Sequence, residues 1–191
     1  MSLTAVSGPA PTPPLPPGLR RLVWAVRVLA VLGALSLLAV PLSFWSQPEW
    51  IDEAGRTVAG LPDSAALAVD DRARGLGLAS SVPGIALGLW ALLSLWRLFG
   101  AYAQGRFFDG EACRQLRRFA WALLGMALLV PLQRGLIAMA LTLGNPPGQR
   151  MLVLGFSWHD YLGVLIGLVL LAVAIVQAEA ARLADENAGF V

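Results

Sequence analysis

The chain has 191 residues, of which 57% are hydrophobic and only 14% are charged. Ordinary soluble domains carry about 25% charged residues, so this composition argues against a soluble enzyme or carrier. The formal net charge is +2, and all 14 basic residues are arginine. We attribute this usage to genome composition rather than to a basic surface, and we expect no direct nucleic-acid partner. The single cysteine, Cys113, excludes an internal disulfide and a cysteine-rich metal site.

The first 18 residues are rich in proline, which removes backbone donors and favours an extended chain. We therefore predict a disordered tail over residues 1–18. The P-x-x-P spacing from Pro11 to Pro14 also fits a proline-binding partner, but an unstructured lead-in is the plainer interpretation.

Four apolar stretches follow, near residues 22–45, 82–103, 119–143 and 158–178. A hydrocarbon core about 30 Å thick needs about 20 helical residues to cross it, and each stretch is long enough. We predict an all-α fold, in which residues 19–191 form a single domain: a bundle of four transmembrane helices. The longest connection, residues 46–75, is acidic, and we expect it to be a polar loop.

The arginines are distributed unevenly between the two sides of this bundle. If the N-terminus is inside, nine arginines lie on the inner side or at its span ends, and four lie in the outer loops. Basic residues in short loops are retained in the cytoplasm, so we predict that both termini are cytoplasmic, in a bacterial cytoplasmic (inner) membrane. The inner set is Arg20, Arg21, Arg27, Arg97, Arg106, Arg114, Arg117, Arg118 and Arg182; the outer set is Arg56, Arg72, Arg74 and Arg150.

Arg134 is the one charge well inside a span. An ionisable group within a membrane is costly unless it is paired or reached by water, so it is a candidate functional residue. Together with Gln133 and Asp160 it could line a polar cavity or gate. In the alternative interpretation, Asp160 forms a capping box with Ser157 at the start of the fourth span, and Arg134 reaches outward or bonds Gln133 and loop carbonyls.

Two G-x-x-x-G pairs lie in the spans: Gly84 with Gly88, and Gly163 with Gly167. Small residues at this spacing let two helices approach closely. We expect packing seams within the bundle, and a contact between copies in a homo-oligomer is the alternative.

The connection between the second and third spans, residues 105–118, carries Arg106, Arg114, Arg117 and Arg118. We expect Asp109 to start a helix there that runs directly into the third span. Arginines at this position can bind the anionic headgroups of the lipid bilayer. The sharper interpretation is a docking surface for a cytoplasmic protein, shared with the charged tail that contains Asp185 and Glu186.

The segment from Leu95 to Phe119, with the ending from Glu179 to Val191, resembles a family of bacterial membrane proteins called domain of unknown function 2975 (DUF2975). That family has four spans, a "kG-x-(I/P)F" loop and a charged "L-x-E-(E/D)-x" tail. The matching residues are Gly105, Phe108, Leu116, Arg117, Leu183, Asp185, Glu186 and Asn187. Many members end in a "D-L-T-V"-like sequence, whereas this chain ends Ala188-Gly-Phe-Val191. Some members are encoded beside small helix-turn-helix regulators, so the resemblance implies a transcription regulator as partner.

No catalytic, cofactor-binding or metal-binding motif is visible, so we expect a non-enzymatic protein without a cofactor. The leading hypothesis is a membrane sensor or scaffold that engages a cytoplasmic partner. The alternative is a subunit of a small-solute transporter or channel, built as an oligomer, with Arg134 lining its path.

Overall fold

The computed structural model describes residues 17–106 and 109–188, apart from the side chains at 184, 185, 187 and 188. Within those residues the chain forms five α-helices: α1 (Pro17–Ser46), α2 (Pro48–Ala59), α3 (Asp71–Tyr102), α4 (Gly110–Leu141) and α5 (Trp158–Ala188). Most of the predicted tail, residues 1–16, lies outside the described residues. Its last two residues, Pro17 and Gly18, already belong to α1.

Four of the helices, α1, α3, α4 and α5, are long and apolar enough to cross a membrane. The predicted all-α bundle of four spans is therefore confirmed. Two of these helices begin well before their apolar stretches, α3 at Asp71 and α4 at Gly110. In α3, Asp70 caps the extra turns, because its Oδ1 accepts a hydrogen bond from the Ala73 amide at 2.7 Å. In α3 and α4, hydropathy thus marks the apolar part of the helix rather than its first residue.

The four spans pack in chain order: α1 on α3, α3 on α4, and α4 on α5. Within the described residues α1 makes no close backbone approach to α4 or α5, so the bundle is an open row with α1 and α5 at its edges. Successive spans are antiparallel. We call the end where α1 begins and α5 ends the terminal face, and the opposite end the cap face.

The glycine pairs lie at contacts between these spans. A Cβ atom at Gly163 would lie 3.1 Å from the Ala127 Cβ, and one at Gly167 would lie 3.1 Å from the Leu124 Cα, both on α4. Gly84 faces α4, whereas Gly88 faces α1, where a Cβ would lie 2.6 Å from a Leu37 methyl. Small residues therefore set the spacing along all three contacts in the row.

The cap face contains a helix that we did not predict. We expected residues 46–75 to form a polar loop. This was wrong for Pro48–Ala59, which form α2, for Ser46, which ends α1, and for residues 71–75, which begin α3. Ile51, Gly55 and Ala59 recur every fourth residue and bury one face of α2, while its acidic side chains point away. The helix ends at Gly60, whose left-handed φ of 66° is the conformation that glycine adopts most easily.

Two further segments, residues 61–70 and 142–157, complete the cap. They are joined by backbone hydrogen bonds on both sides of Ala68, whose amide donates to the Leu141 carbonyl and whose carbonyl accepts from the Gly144 amide. Asn145 adds a side-chain hydrogen bond of 2.8 Å to the Ala66 carbonyl. Hydrogen bonds between its two segments therefore hold the cap together.

Candidate functional site

Arg134 and Asp160 meet at the cap face, where α4 approaches the start of α5. Each terminal nitrogen of the guanidinium lies 3.4 Å from one carboxylate oxygen, and Nη1 also donates to the Gly155 carbonyl at 3.2 Å. The Asp160 side chain is 4% exposed and that of Arg134 is 23% exposed. The charge inside the third span is therefore compensated by a largely buried ion pair between two spans.

The same carboxylate caps α5. Asp160 Oδ2 accepts hydrogen bonds from the Ser157 amide at 2.7 Å and from the Ser157 hydroxyl at 2.8 Å. In return, the Asp160 amide donates to the Ser157 hydroxyl oxygen at 3.3 Å, which completes a capping box. Asp160 thus pairs with Arg134 and caps α5 at the same time, so the ion pair and the capping box do not exclude each other.

The aliphatic part of Arg134 contacts a third element of the cap. A Cβ atom at Gly60, the residue that ends α2, would lie 3.3 Å from the Arg134 Cδ. The next residue of α4, Gly135, packs just as closely on the 151–157 segment, where a Cβ would lie 3.1 Å from the Val153 carbonyl oxygen. Arg134 therefore connects α2, α4, α5 and the segment before α5.

Gln133 is not part of this cluster. Neighbours on a helix differ by about 100° in direction, and its amide points to α3, where a Cβ at Gly84 would lie 2.9 Å from Oε1. Gln133 also lines a cavity of about 450 Å³ between α1, α3 and α4, together with Ser36 and Ser81. The three residues that the sequence grouped together are therefore separated in the structure. Arg134 and Asp160 form an ion pair in the cap, whereas Gln133 lies among the spans.

The charged residues of the terminal face lie mainly on α4 and α5. Arg114 pairs with Glu111, Arg182 pairs with Glu179 and Glu186, and Arg106 pairs with Asp109 at 2.7 Å. Asp109 precedes the first residue of α4, as expected, but its side chain binds Arg106 instead of capping the helix. Asp185 has no described side chain.

Arg117 and Arg118 are exposed, and within the described part of the chain neither makes an ion pair. Arg114, Arg117 and Arg182 border a cavity of about 260 Å³ between the start of α4 and the end of α5. The predicted arginine-rich connection and the charged tail thus come together on one surface, which we call the α4–α5 surface.

One contact at the terminal face was not predicted. The guanidinium carbon of Arg27, on α1, lies 4.8 Å from the ring centroid of Trp96, on α3. The sequence places Arg27 at the edge of the first apolar stretch, where we expected its side chain to reach the interface. Nothing local in the sequence connects it to Trp96, because the contact depends on how α1 packs on α3.

Four helices that are long and apolar enough to cross a membrane define a multi-span α-helical membrane protein. A family model described as "Protein of unknown function (DUF2975)" matches residues 15–189. The chain therefore belongs to this family, as its loop and tail motifs indicated. No curated protein and no solved structure matches the chain.

Proposed function

We propose that this membrane protein is a non-enzymatic sensor or scaffold that engages a protein partner through its α4–α5 surface. The observation that carries the proposal is the continuation of both helices beyond their apolar stretches. α4 begins at Gly110, before its apolar part, and α5 continues to Ala188, after its own. Their charged ends project from the hydrophobic region together and form one surface.

The charges on this surface favour a partner with an acidic docking segment. Arg114 and Arg182 make ion pairs with glutamates of their own helices. Among the described residues Arg117 makes no ion pair, and Arg118 interacts with Glu111 only through the longer-range attraction of their charges. Exposed arginines whose charge is not already neutralised are the ones that gain most from an incoming carboxylate. A small helix-turn-helix regulator with an acidic helix is the partner we propose.

The proposed location is the cytoplasmic side of a bacterial inner membrane. The support is the excess of arginine at the terminal face, which is retained in the cytoplasm in most multi-span proteins. A regulator that binds DNA reaches the protein only from that side.

A matched pair of variants tests the proposal. The full chain in lipid nanodiscs is mixed with a purified small helix-turn-helix regulator that carries an acidic helix, and binding is measured by biolayer interferometry. We expect R117A/R118A to weaken binding about thirtyfold, since each of the two charge-assisted contacts contributes on the order of 1 kcal/mol. The control, R20A/R21A, removes the same charge from the same face but on α1, and should bind within about twofold of the wild type. Equal effects of the two pairs, or no binding by the wild type, would overturn the proposal.

The alternative, a subunit of a solute transporter or channel, gains support from the 450 Å³ cavity between three spans. Its polar lining side chains are Gln133, Ser36 and Ser81, and Gln133 makes no hydrogen bond within the described residues. This alternative requires solute flux in liposomes that falls when Gln133 or Arg134 is replaced. A scaffold requires no flux and is unaffected in that assay.

A further inference from the structure

The Arg27 side chain packs against α3 at two positions, Trp96 and Gly100. Its guanidinium lies over the ring of Trp96, and a Cβ atom at Gly100, one turn further along α3, would lie only 2.8 Å from its Nη2. The guanidinium thus occupies the space that a larger residue at position 100 would fill. Its position is fixed by two contacts with α3.

This cation has no counter-charge in the described part of the chain. Its Nε is buried without a hydrogen-bond partner, and no carboxylate pairs with Arg27. Beyond Asp71, at the cap face, neither α1 nor α3 contains an acidic residue. Their ends at the terminal face carry Arg20, Arg21, Arg27 and Arg97. On the α4–α5 side, in contrast, Arg114 and Arg182 each have a glutamate partner.

A cation–π contact does not replace a counter-ion. It contributes about 0.5–2 kcal/mol, whereas moving an arginine from water to the membrane interior costs several kcal/mol. An anion at the membrane interface would restore the balance and satisfy Nε as well. Arginine is suited to this role because its planar donors match the oxygens of a phosphate.

An apolar groove leads away from Arg27 between α1 and α3. Its first part, about 340 Å³, is lined by Trp24, Arg27, Val28, Val31, Leu32 and Trp96. A second part of about 320 Å³ shares Val31 and Trp96 and continues to Leu89, Leu92 and Leu93 of α3. One end of the groove is therefore cationic and aromatic, and the rest is aliphatic.

We propose that this groove is a binding site for an anionic phospholipid, whose phosphate contacts the Arg27 guanidinium and whose acyl chain lies along α1 and α3. Tryptophans at the mouth suit the headgroup depth, where aromatic side chains are enriched. The aliphatic lining suits an acyl chain and offers nothing to a free phosphate ion. The uncompensated charge of Arg27, the arginine that lines the groove, favours an anionic lipid over a zwitterionic one.

The test uses the full chain in nonionic detergent, titrated with phosphatidylglycerol, with bound lipid counted by native mass spectrometry. We expect Arg27→Met to bind phosphatidylglycerol about tenfold more weakly, because the phosphate loses a charge-assisted contact. The control is Arg97→Met, which removes the same charge from an exposed position outside the groove and should bind within about twofold of the wild type.

A second variant leaves Arg27 in place, in case its loss prevents folding. Val31 is 46% exposed and lines both parts of the groove, so Val31→Trp fills the groove from the lipid side and should weaken binding to a similar extent. Unchanged binding by both variants would overturn the proposal, as would equal binding of phosphatidylcholine. Displacement of the lipid by inorganic phosphate would indicate a soluble-anion site instead. A dimer that excludes lipid would show that a second copy occupies the groove.

Discussion

The Arg134 guanidinium and the Asp160 carboxylate form a two-point contact between α4 and α5, with both nitrogen–oxygen distances at 3.4 Å. The pair is asymmetric. Asp160 keeps its hydrogen bonds to Ser157 and the favourable field at the start of a helix, whichever residue occupies position 134. Among the described residues, Arg134 donates hydrogen bonds only to the Gly155 carbonyl besides Asp160.

This asymmetry determines which partner is more costly to remove. Asp160→Asn keeps an oxygen for the Ser157 amide but leaves the arginine charge uncompensated, and we expect a loss of about 3 kcal/mol in the free energy of unfolding. Arg134→Met leaves a carboxylate that the capping box still satisfies, so we expect a loss nearer 1 kcal/mol. Equilibrium unfolding in mixed detergent micelles measures the free energy of unfolding of both variants and of the wild type.

The control for this comparison is Asp63→Asn, which removes the same charge from an exposed position of the cap. It should change the free energy of unfolding by no more than about 0.5 kcal/mol. If Arg134→Met proves as destabilising as Asp160→Asn, the proposed asymmetry is wrong, and Arg134 stabilises the fold through more than its pairing with Asp160.

The contact between α4 and α5 depends on Gly167. A leucine there would clash with the Leu124 backbone. Even a Cβ atom at position 167 would lie 3.1 Å from the Leu124 Cα and 3.2 Å from the Leu124 nitrogen. We expect Gly167→Leu to cost about 3 kcal/mol, because backbone cannot move aside as a flexible side chain can. Gly75→Ala, on α3 with open space around it, is the matched control and should be neutral or slightly stabilising.

The same variant distinguishes a seam within the bundle from a contact between copies. Sedimentation of the wild type and Gly167→Leu in detergent should give the same oligomeric state, because the glycine faces α4 of its own chain. A dimer that is lost specifically in Gly167→Leu would assign this face to an interface between copies.

Local signals in the sequence were sufficient for much of this fold. The spans follow from runs of apolar residues, and the capping box at Ser157 and Asp160 follows from their spacing of three. The ion pair between Arg134 and Asp160 was also suggested, because few residues in a membrane helix can compensate a charge. These features depend on composition and short spacing, which a single sequence displays directly.

Other features depend on tertiary packing and could not be predicted in the same way. Arg27 meets Trp96 only because α1 packs on α3, and its lack of an acidic neighbour becomes apparent only in the folded chain. α2 was not predicted, because its acidic residues made the segment look like a polar loop although Ile51, Gly55 and Ala59 form a buried helical face. That Gln133 and Arg134 point to different neighbours could have been predicted from the sequence, since adjacent residues of a helix point in different directions.

The orientation of the chain in the membrane can be tested without replacing any of the arginines from which it was predicted. In a Cys113→Ser background, Gly18→Cys marks the terminal face and Ser64→Cys marks the cap face, and both positions are exposed. Neither substitution adds or removes an arginine, so the bias that favours cytoplasmic retention is unchanged. In intact spheroplasts, a membrane-impermeant maleimide should label the cysteine at position 64 and spare the one at position 18, and lysis should make both reactive. The reverse pattern would place the α4–α5 surface outside the cell, where no transcription regulator could reach it, and would remove the main support for the proposed partner.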